Sequence, residues 1–361
     1  MDVTAPDIYA CHIYLTLPFH HYILVLSQEE FIRRFIMNVL VLGGSGLFGR
    51  KTCAYLLADK DIDTVVNMDL ASPPEWFMKT IDKYSARFHY VRGNVTEFED
   101  VLNTMKKYAI DRLINWAFIM IGGGVIVDPR LATRVNVLGM SNAFEAAKIM
   151  GADRVIYASS ETVYGPQAMY GDRDVTEDDQ TNPTHSYAVC KKYAEILAND
   201  YTQQFGMQFT GLRPSIGYGH GGMSPARYWS DMPSYCAVGK PFSMEADGKA
   251  LMSLVSADDL AEFTRILVKA PSSPYPVYNI GGPATSARDL AEAVKKYIPD
   301  ARITFGDQQM MDTSGKSGLP WRVSMKRAIE DFGFSCMPLE KAVLIHINDA
   351  RLEAGLEPIK G

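Results

Sequence analysis

The chain has 361 residues, 36 Lys and Arg against 42 Asp and Glu for a formal net charge of −6, and 47% apolar against 22% charged residues. Such a chain exceeds the usual length of one domain and buries an ample core, while its mild acidity without a basic run excludes nucleic acid as a partner. Five cysteines at 11, 53, 190, 236 and 336 lack C-x-x-C spacing, which points to the reducing cytoplasm, and the seven histidines show no metal-site spacing beyond His20 and His21, so no metal is expected.

Residues 7–26 are apolar enough to raise a membrane or signal-peptide reading. They contain Pro18 and three histidines and lack a basic leader and a small-residue cleavage site, so the expectation is an extension over 1–36 that packs on the surface or on a dimer partner, with no membrane contact. Residues 37–42 form an apolar strand, glycines follow at 43, 46 and 49, and 50–58 reads as a helix. A strand, a glycine turn and a helix N-terminus make a dinucleotide loop: Gly43 permits the tight turn, Gly46 lets the backbone approach a pyrophosphate, and Gly49 lets the helix pack on the sheet. A glycine triplet by itself can also be a simple tight turn. The second strand, 64–69, ends in Asp69, twenty residues after Gly49. A carboxylate there accepts hydrogen bonds from a ribose 2′-hydroxyl and repels a 2′-phosphate, which favours NAD over NADP.

Further strands are expected near 87–92, 111–117, 153–158 and 207–213, and helices near 97–108, 129–150 and 184–206. That alternation predicts an α/β fold, a Rossmann-like doubly wound parallel sheet with a smaller C-terminal α/β substrate domain. Gly122 to Gly124 would form a flexible rim of the cofactor cleft or a plain loop. The strand at 153–158 ends in Ser159 and Ser160, at the edge where open α/β sheets bind ligands, so Ser160 can hydrogen-bond a reacting oxygen. Tyr187 and Lys191 are four residues apart and share a helix face. A free phenol has a pKa of about 10; a nearby ammonium and a nicotinamide cation both favour the phenolate, which makes Tyr187 a proton acceptor as hydride leaves the substrate carbon. Glycine-rich 217–222 reads as a mobile substrate lid. Residues near 224–241 and two helical stretches around 324–354 would build the smaller domain, whose Met and Tyr side chains serve as an apolar pocket wall or as core.

Four motifs, Gly43-x-x-Gly46-x-x-Gly49, Ser-Ser-x-x-Val-Tyr-Gly at 159–165, Tyr187-x-x-x-Lys191 and Leu212-Arg213-Pro214, resemble the extended short-chain dehydrogenase/reductase superfamily, in its NAD-dependent epimerase/dehydratase group, from about 37 to 350. The resemblance implies a Rossmann domain over 37–215 and a mainly substrate-binding domain over 216–361, with elements of the two interleaved. It implies a Ser160, Tyr187 and Lys191 active site and NAD held by Gly43, Ser45, Gly46, Leu47, Phe48, Gly49, Asp69, Asn94, Val95, Ala117, Tyr187, Lys191 and Pro214, with Asn136 structural. Substrate contacts fall on Ser160, Glu161, Thr162 and Ile216. The family commonly pairs through long helices, which makes a homodimer the expected assembly.

Departures from the family pattern narrow the chemistry. Sugar dehydratases carry an Asp-Glu pair where this chain has Glu161 and Thr162, and one carboxylate cannot serve as both acid and base. Ile216 stands where nucleotide-sugar enzymes tend to carry Asn, and Met252 about where a phosphate-binding arginine usually falls; Lys249, Arg227 and Lys316 read as surface charges. The expected function is NAD-dependent oxidoreduction of a secondary hydroxyl on a sugar-like substrate, as a sugar or nucleotide-sugar epimerase or as a dehydrogenase, with the departures tilting toward a small or unusual hydroxylated substrate. Dehydrogenation of a small non-sugar alcohol, or a non-catalytic NAD-responsive binding protein, are the alternatives.

Overall fold

The computed structural model describes residues 37–120, 128–224, 226–309 and 319–361, together with two short strands, β1 (Ile13–Leu15) and β2 (Leu24–Leu26), which pair antiparallel. The remainder of the expected extension over 1–36, the Gly122 to Gly124 rim and Lys316 lie outside the described residues.

The apolar run after Met37 becomes β3 (Asn38–Leu42), whose Val39, Leu40, Val41 and Leu42 are fully buried. Side chains alternate along a strand, so Val39 and Val41 enter one core while Leu40 and Leu42 enter another on the opposite face. Burial on both faces is the signature of a parallel sheet covered by helices. The sheet has seven strands: β5 (Phe88–Arg92), β4 (Thr64–Asp69), β3, β6 (Arg112–Asn115), β7 (Arg154–Ala158), β8 (Phe209–Pro214) and β12 (Val277–Ile280), in that spatial order and parallel throughout. The chain winds outward from β3 to β5, then crosses back to β6. The carboxyl ends of β3 and β6 therefore flank the switch point, where such sheets bind ligands.

One face is covered by α1 (Leu47–Ala58) and α7 (Ala257–Lys269), with Leu56 and Phe263 against Ile114, Ile156 and Tyr278. The other is covered by α3 (Phe98–Lys107), α4 and α5 (Ser186–Phe205), with Val101, Phe144 and Ala194 against Leu113, Val155 and Tyr157. The helix expected over 129–150 is α4, which runs as Pro129–Thr133, a π-helical stretch Arg134–Gly139, and Met140–Met150. The Asp128 carboxylate caps it by accepting from the N–H groups of Arg130 and Leu131, and Gly151 ends it at φ +65°.

A smaller layer is built from the three-stranded sheet β13 (Ala284–Thr285), β11 (Met252–Ser256) and β9 (Ile216–Tyr218), and from the parallel pair β10 (Phe242–Ala246) and β14 (Ile303–Gln308). Helices α6 (Tyr228–Ala237), α8 (Ala287–Tyr297) and α10 (Leu339–Glu353) close its core with Trp229, Leu290 and Val343. The second helical stretch near 324–354 is α10 and belongs here. The first, α9 (Lys326–Phe332), packs instead beside β12 on the main sheet, its Ala328 and Phe332 joining Phe263 and Tyr278. No helix among the described residues is long and apolar enough to cross a membrane, and they hold no metal-binding cluster of His, Cys, Asp and Glu.

Candidate active site

The turn between β3 and α1 has the shape that the glycine spacing demands. Gly43 sits at φ +74°, and a Cβ there would lie 2.7 Å from the Ala117 backbone; one on Gly49 would lie 2.2 Å from the Gly43 carbonyl. A Cβ on Gly46 would meet nothing nearer than 3.4 Å, so that face of the loop is open to a ligand's close approach. Gly46 is also the N-cap of α1 and has no side chain to cap it, which leaves the first N–H groups of the helix to an anion. Asp69, at the end of β4, accepts from the Ser45 N–H at 3.0 Å and the Ala71 N–H at 3.2 Å and is thereby fixed beside the loop. These residues fit a dinucleotide: the loop and helix N-terminus for its pyrophosphate, the carboxylate for a ribose.

Across the switch point, β7 delivers Ser159 and Ser160, and α5 delivers Tyr187 and Lys191. Tyr187 and Ser160 line the same cleft, where the Ser160 hydroxyl eases the phenolate, and the Ser160 oxygen accepts from the Thr162 N–H at 3.2 Å. Lys191 is buried, donates to the Ala158 carbonyl at 2.9 Å, and sits 5.3 Å from the Tyr187 ring centre and 4.3 Å from that of Phe118. Burial dominates both titrations: it pulls the Lys191 ammonium down to about 7 and pushes the Tyr187 phenol above its usual range. Burial is the largest influence on the phenol, and the neighbouring ammonium is not among the groups that lower it.

A buried ion pair holds these elements in register. Arg213 on β8 binds both oxygens of Glu195 on α5, at 2.7 and 2.9 Å, and donates to the Tyr164 hydroxyl at 2.7 Å. Glu195 also accepts from the Ser159 hydroxyl at 2.6 Å, and Tyr164 donates to Asn279 on β12. Sequence reasoning missed Glu195, although Tyr187, Lys191 and Glu195 step along one helix face in fours. It also missed Arg50, which is buried at the cleft with its guanidinium on the Ser45 and His220 carbonyls and 5.6 Å from the Trp76 ring centre.

A cleft of about 880 Å³ joins the two halves of the site. Its wall brings together the predicted residues Gly43, Ser45, Gly46, Leu47, Phe48, Gly49, Ser160, Glu161, Thr162, Tyr187, Pro214 and Ile216. Lys191 lies behind Tyr187 rather than in the wall, Asp69 behind Ser45, and Ala117 behind Gly43. Asn94 and Val95 do not reach the cleft: the Asn94 side chain accepts from the Thr96 N–H, and Val95 packs in the core where a Cβ on Gly139 would touch it. Asn136 is structural, its amide exchanging two 2.7 Å hydrogen bonds with the Ile119 backbone. The expected lid at 217–222 begins as strand β9, and its end is pinned, with the His220 ring hydrogen-bonded to Ser234 at 3.0 Å and to Glu353 at 2.7 Å. Met252 is buried in the smaller core, while Lys249 and Arg227 pair weakly with Asp247 and Asp231 at the surface.

The sequence profile of the NAD dependent epimerase/dehydratase family matches residues 39–281. UDP-glucose 4-epimerase of Mycolicibacterium smegmatis is 26% identical over 266 residues, covering 72% of this chain and 82% of that one. Mitochondrial L-threonine 3-dehydrogenase of Bos taurus is 22% identical over 308 residues, covering 82% and 78%. Among solved structures, UDP-glucuronic acid 4-epimerase from Bacillus cereus superposes with a TM-score of 0.71 at 21% identity, over 87% of this chain and 99% of that one. The fold, the glycine loop and a family match spanning most of the described sheet agree, and the chain belongs to the NAD dependent epimerase/dehydratase family, as an NAD-using enzyme of the extended short-chain dehydrogenase/reductase type.

Proposed function

We propose that the protein oxidises a secondary hydroxyl on a sugar-like substrate and either releases the carbonyl compound or returns the hydride to the opposite face, as a dehydrogenase or an epimerase. The observation that carries this reading is that Ser160 and Tyr187 line one cleft, with the Lys191 ammonium 5.3 Å from the phenol ring centre. The loop from Gly43 to Gly49 would hold NAD, with Asp69 toward a ribose and Pro214 in the cleft wall, and the cofactor would supply a positively charged hydride acceptor. Ser160 and Tyr187 together bind the reacting oxygen, and Tyr187 takes its proton as the carbon is oxidised. Lys191 orients the phenol and the ribose. Glu161, Thr162 and Ile216 face the substrate, and wall residues Phe118, Met120 and Leu319 keep the reacting centre dry.

The relatives named for UDP-sugars and for threonine bracket the substrate class. The single described cation in the cleft wall is Arg50, already engaged with two carbonyls, and this favours a small hydroxylated substrate over one held by its diphosphate. We also propose an arrangement with the Rossmann domain over 37–215 and the substrate-binding part over 216–361 interleaved with it. A homodimer through α4 and α5 is supported by exposed Leu138, Ile149, Val189, Tyr193 and Ile196 on those helices. The free described cysteines suit the cytoplasm. Incubation with NAD and a panel of sugars, uronates, polyols and nucleotide sugars tests the reading. Net NADH marks a dehydrogenase and isomer exchange without it an epimerase; neither, with any compound, would refute the proposal.

A further inference from the structure

Buried polar atoms are nearly always hydrogen-bonded, so those that are not mark bonds the fold leaves for something else. Among the described residues, four that line the cleft carry such an atom: Glu161 (Oε2), Thr162 (Oγ1), Ser215 (Oγ) and Ser224 (Oγ). The other unpartnered side-chain atoms, on Asn67, Trp229 and His346, belong to residues outside its wall. The cluster is therefore a property of this site and not of the fold at large.

Glu161 is the unusual member. It is only 2% exposed, directly follows Ser160 at the end of β7, and shares the wall with Phe118, Ile119, Ile216 and Leu319. The Ser215 hydroxyl, at the end of the paired strand β8, is the one neighbour that eases its charged form, yet neither Glu161 Oε2 nor Ser215 Oγ is within hydrogen-bonding geometry of a partner. Burial without a cation pushes the carboxyl well above the carboxylate range. A protonated carboxyl has an O–H to donate and a carbonyl oxygen to accept, which with three free hydroxyls makes a neutral hydrogen-bonding wall. Ser160 holds the reacting oxygen in the proposed function, and consecutive Cα atoms are only about 3.8 Å apart. Both residues line the same cleft, and the substrate group nearest to the reacting oxygen is one on the neighbouring carbon.

Resting on the oxidoreductase reading, we propose that Glu161 is a specificity-determining residue whose carboxyl hydrogen-bonds the oxygen adjacent to the reacting one, so that the site selects vicinal diols and sugars over simple alcohols. The matched probes are trans-1,2-cyclohexanediol and cyclohexanol, titrated by calorimetry into the full-length protein saturated with NAD. The diol binds at least about tenfold more tightly to the wild type, the value of roughly one hydrogen bond. Glu161→Ala brings the two within about twofold, Glu161→Gln keeps most of the preference because an amide still donates, and Tyr187→Phe leaves it in place. The infrared spectrum of the wild type at neutral pH carries a protonated-carboxyl band that Glu161→Gln lacks. No diol preference in the wild type, a preference that survives Glu161→Ala, a Glu161→Ala effect confined to NAD affinity, or no such band would each overturn the proposal. Wild-type protein that shows the preference but moves no hydride leaves Glu161 its role and removes the redox reading.

Discussion

Lys191 carries a cost that its position explains. Its ammonium is buried against Phe118 and the Ala158 carbonyl with no carboxylate bonded to it, and its pKa falls from 10.5 to about 7. Between those values the unfolded chain binds more protons than the folded one, so this residue's contribution to stability rises with pH across the window and its full penalty is felt below about 7. Lys191→Met is expected to stabilise the protein by roughly 1 to 3 kcal/mol near neutral pH while removing most activity, and the gain shrinks toward pH 10. Denaturant titrations at several pH values check this; a destabilised variant at neutral pH would show that the ammonium is better solvated than its burial implies. Asp69 makes a second, separable prediction. The wild type binds NAD more tightly than NADP, and Asp69→Ala narrows the gap by about tenfold or more, because the carboxylate beside Ser45 repels a 2′-phosphate. Equal affinities in the wild type would remove Asp69 from the ribose.

Strands and helices were readable wherever pattern alone decides them. Val39 to Leu42 alternate into two cores because a central parallel strand is apolar on both faces, and the ends of α4 and α5 fall at Gly151 and Gly206, both at positive φ. The π-helical stretch around Asn136 was not readable, since it accompanies a side-chain bridge to Ile119 that no local propensity encodes. Nor was the return of β12 and α9 to the main sheet, which depends on Tyr278 and Phe332 finding Phe263 across the fold. The site divides in the same way. Loop glycines and the Tyr187 and Lys191 spacing are local and visible, whereas the Glu195 to Arg213 pair joins a helix to a strand and only the fold reveals it. Glu195→Ala leaves Arg213 buried without its partner and is expected to cost about 3 to 5 kcal/mol, against a smaller loss for Glu195→Gln. A loss under about 1 kcal/mol would mean that the pair does not lock β7, α5 and β8 together.

The doubly wound sheet and its helices provide the cofactor loop with Ser160 and Tyr187 in the cleft wall, to which the smaller layer adds Ile216 and Tyr228. The outer faces of α4 and α5 remain apolar, with Ile149 and Ile196 each 53% exposed. Ile196→Asp is expected to convert a dimer to a monomer in light scattering without changing NAD affinity, and a wild type that is already monomeric would remove the proposed pairing. Proton transfer through Tyr187 decides whether the assembled cleft is an enzyme of the proposed kind. The decisive measurement is single-turnover hydride transfer between NAD and a reactive sugar or polyol, wild type against Tyr187→Phe. The expected result is at least a hundredfold slower transfer in the variant, about the contribution of a positioned acid or base, with NAD bound as before. Equal rates in the two proteins would contradict the account.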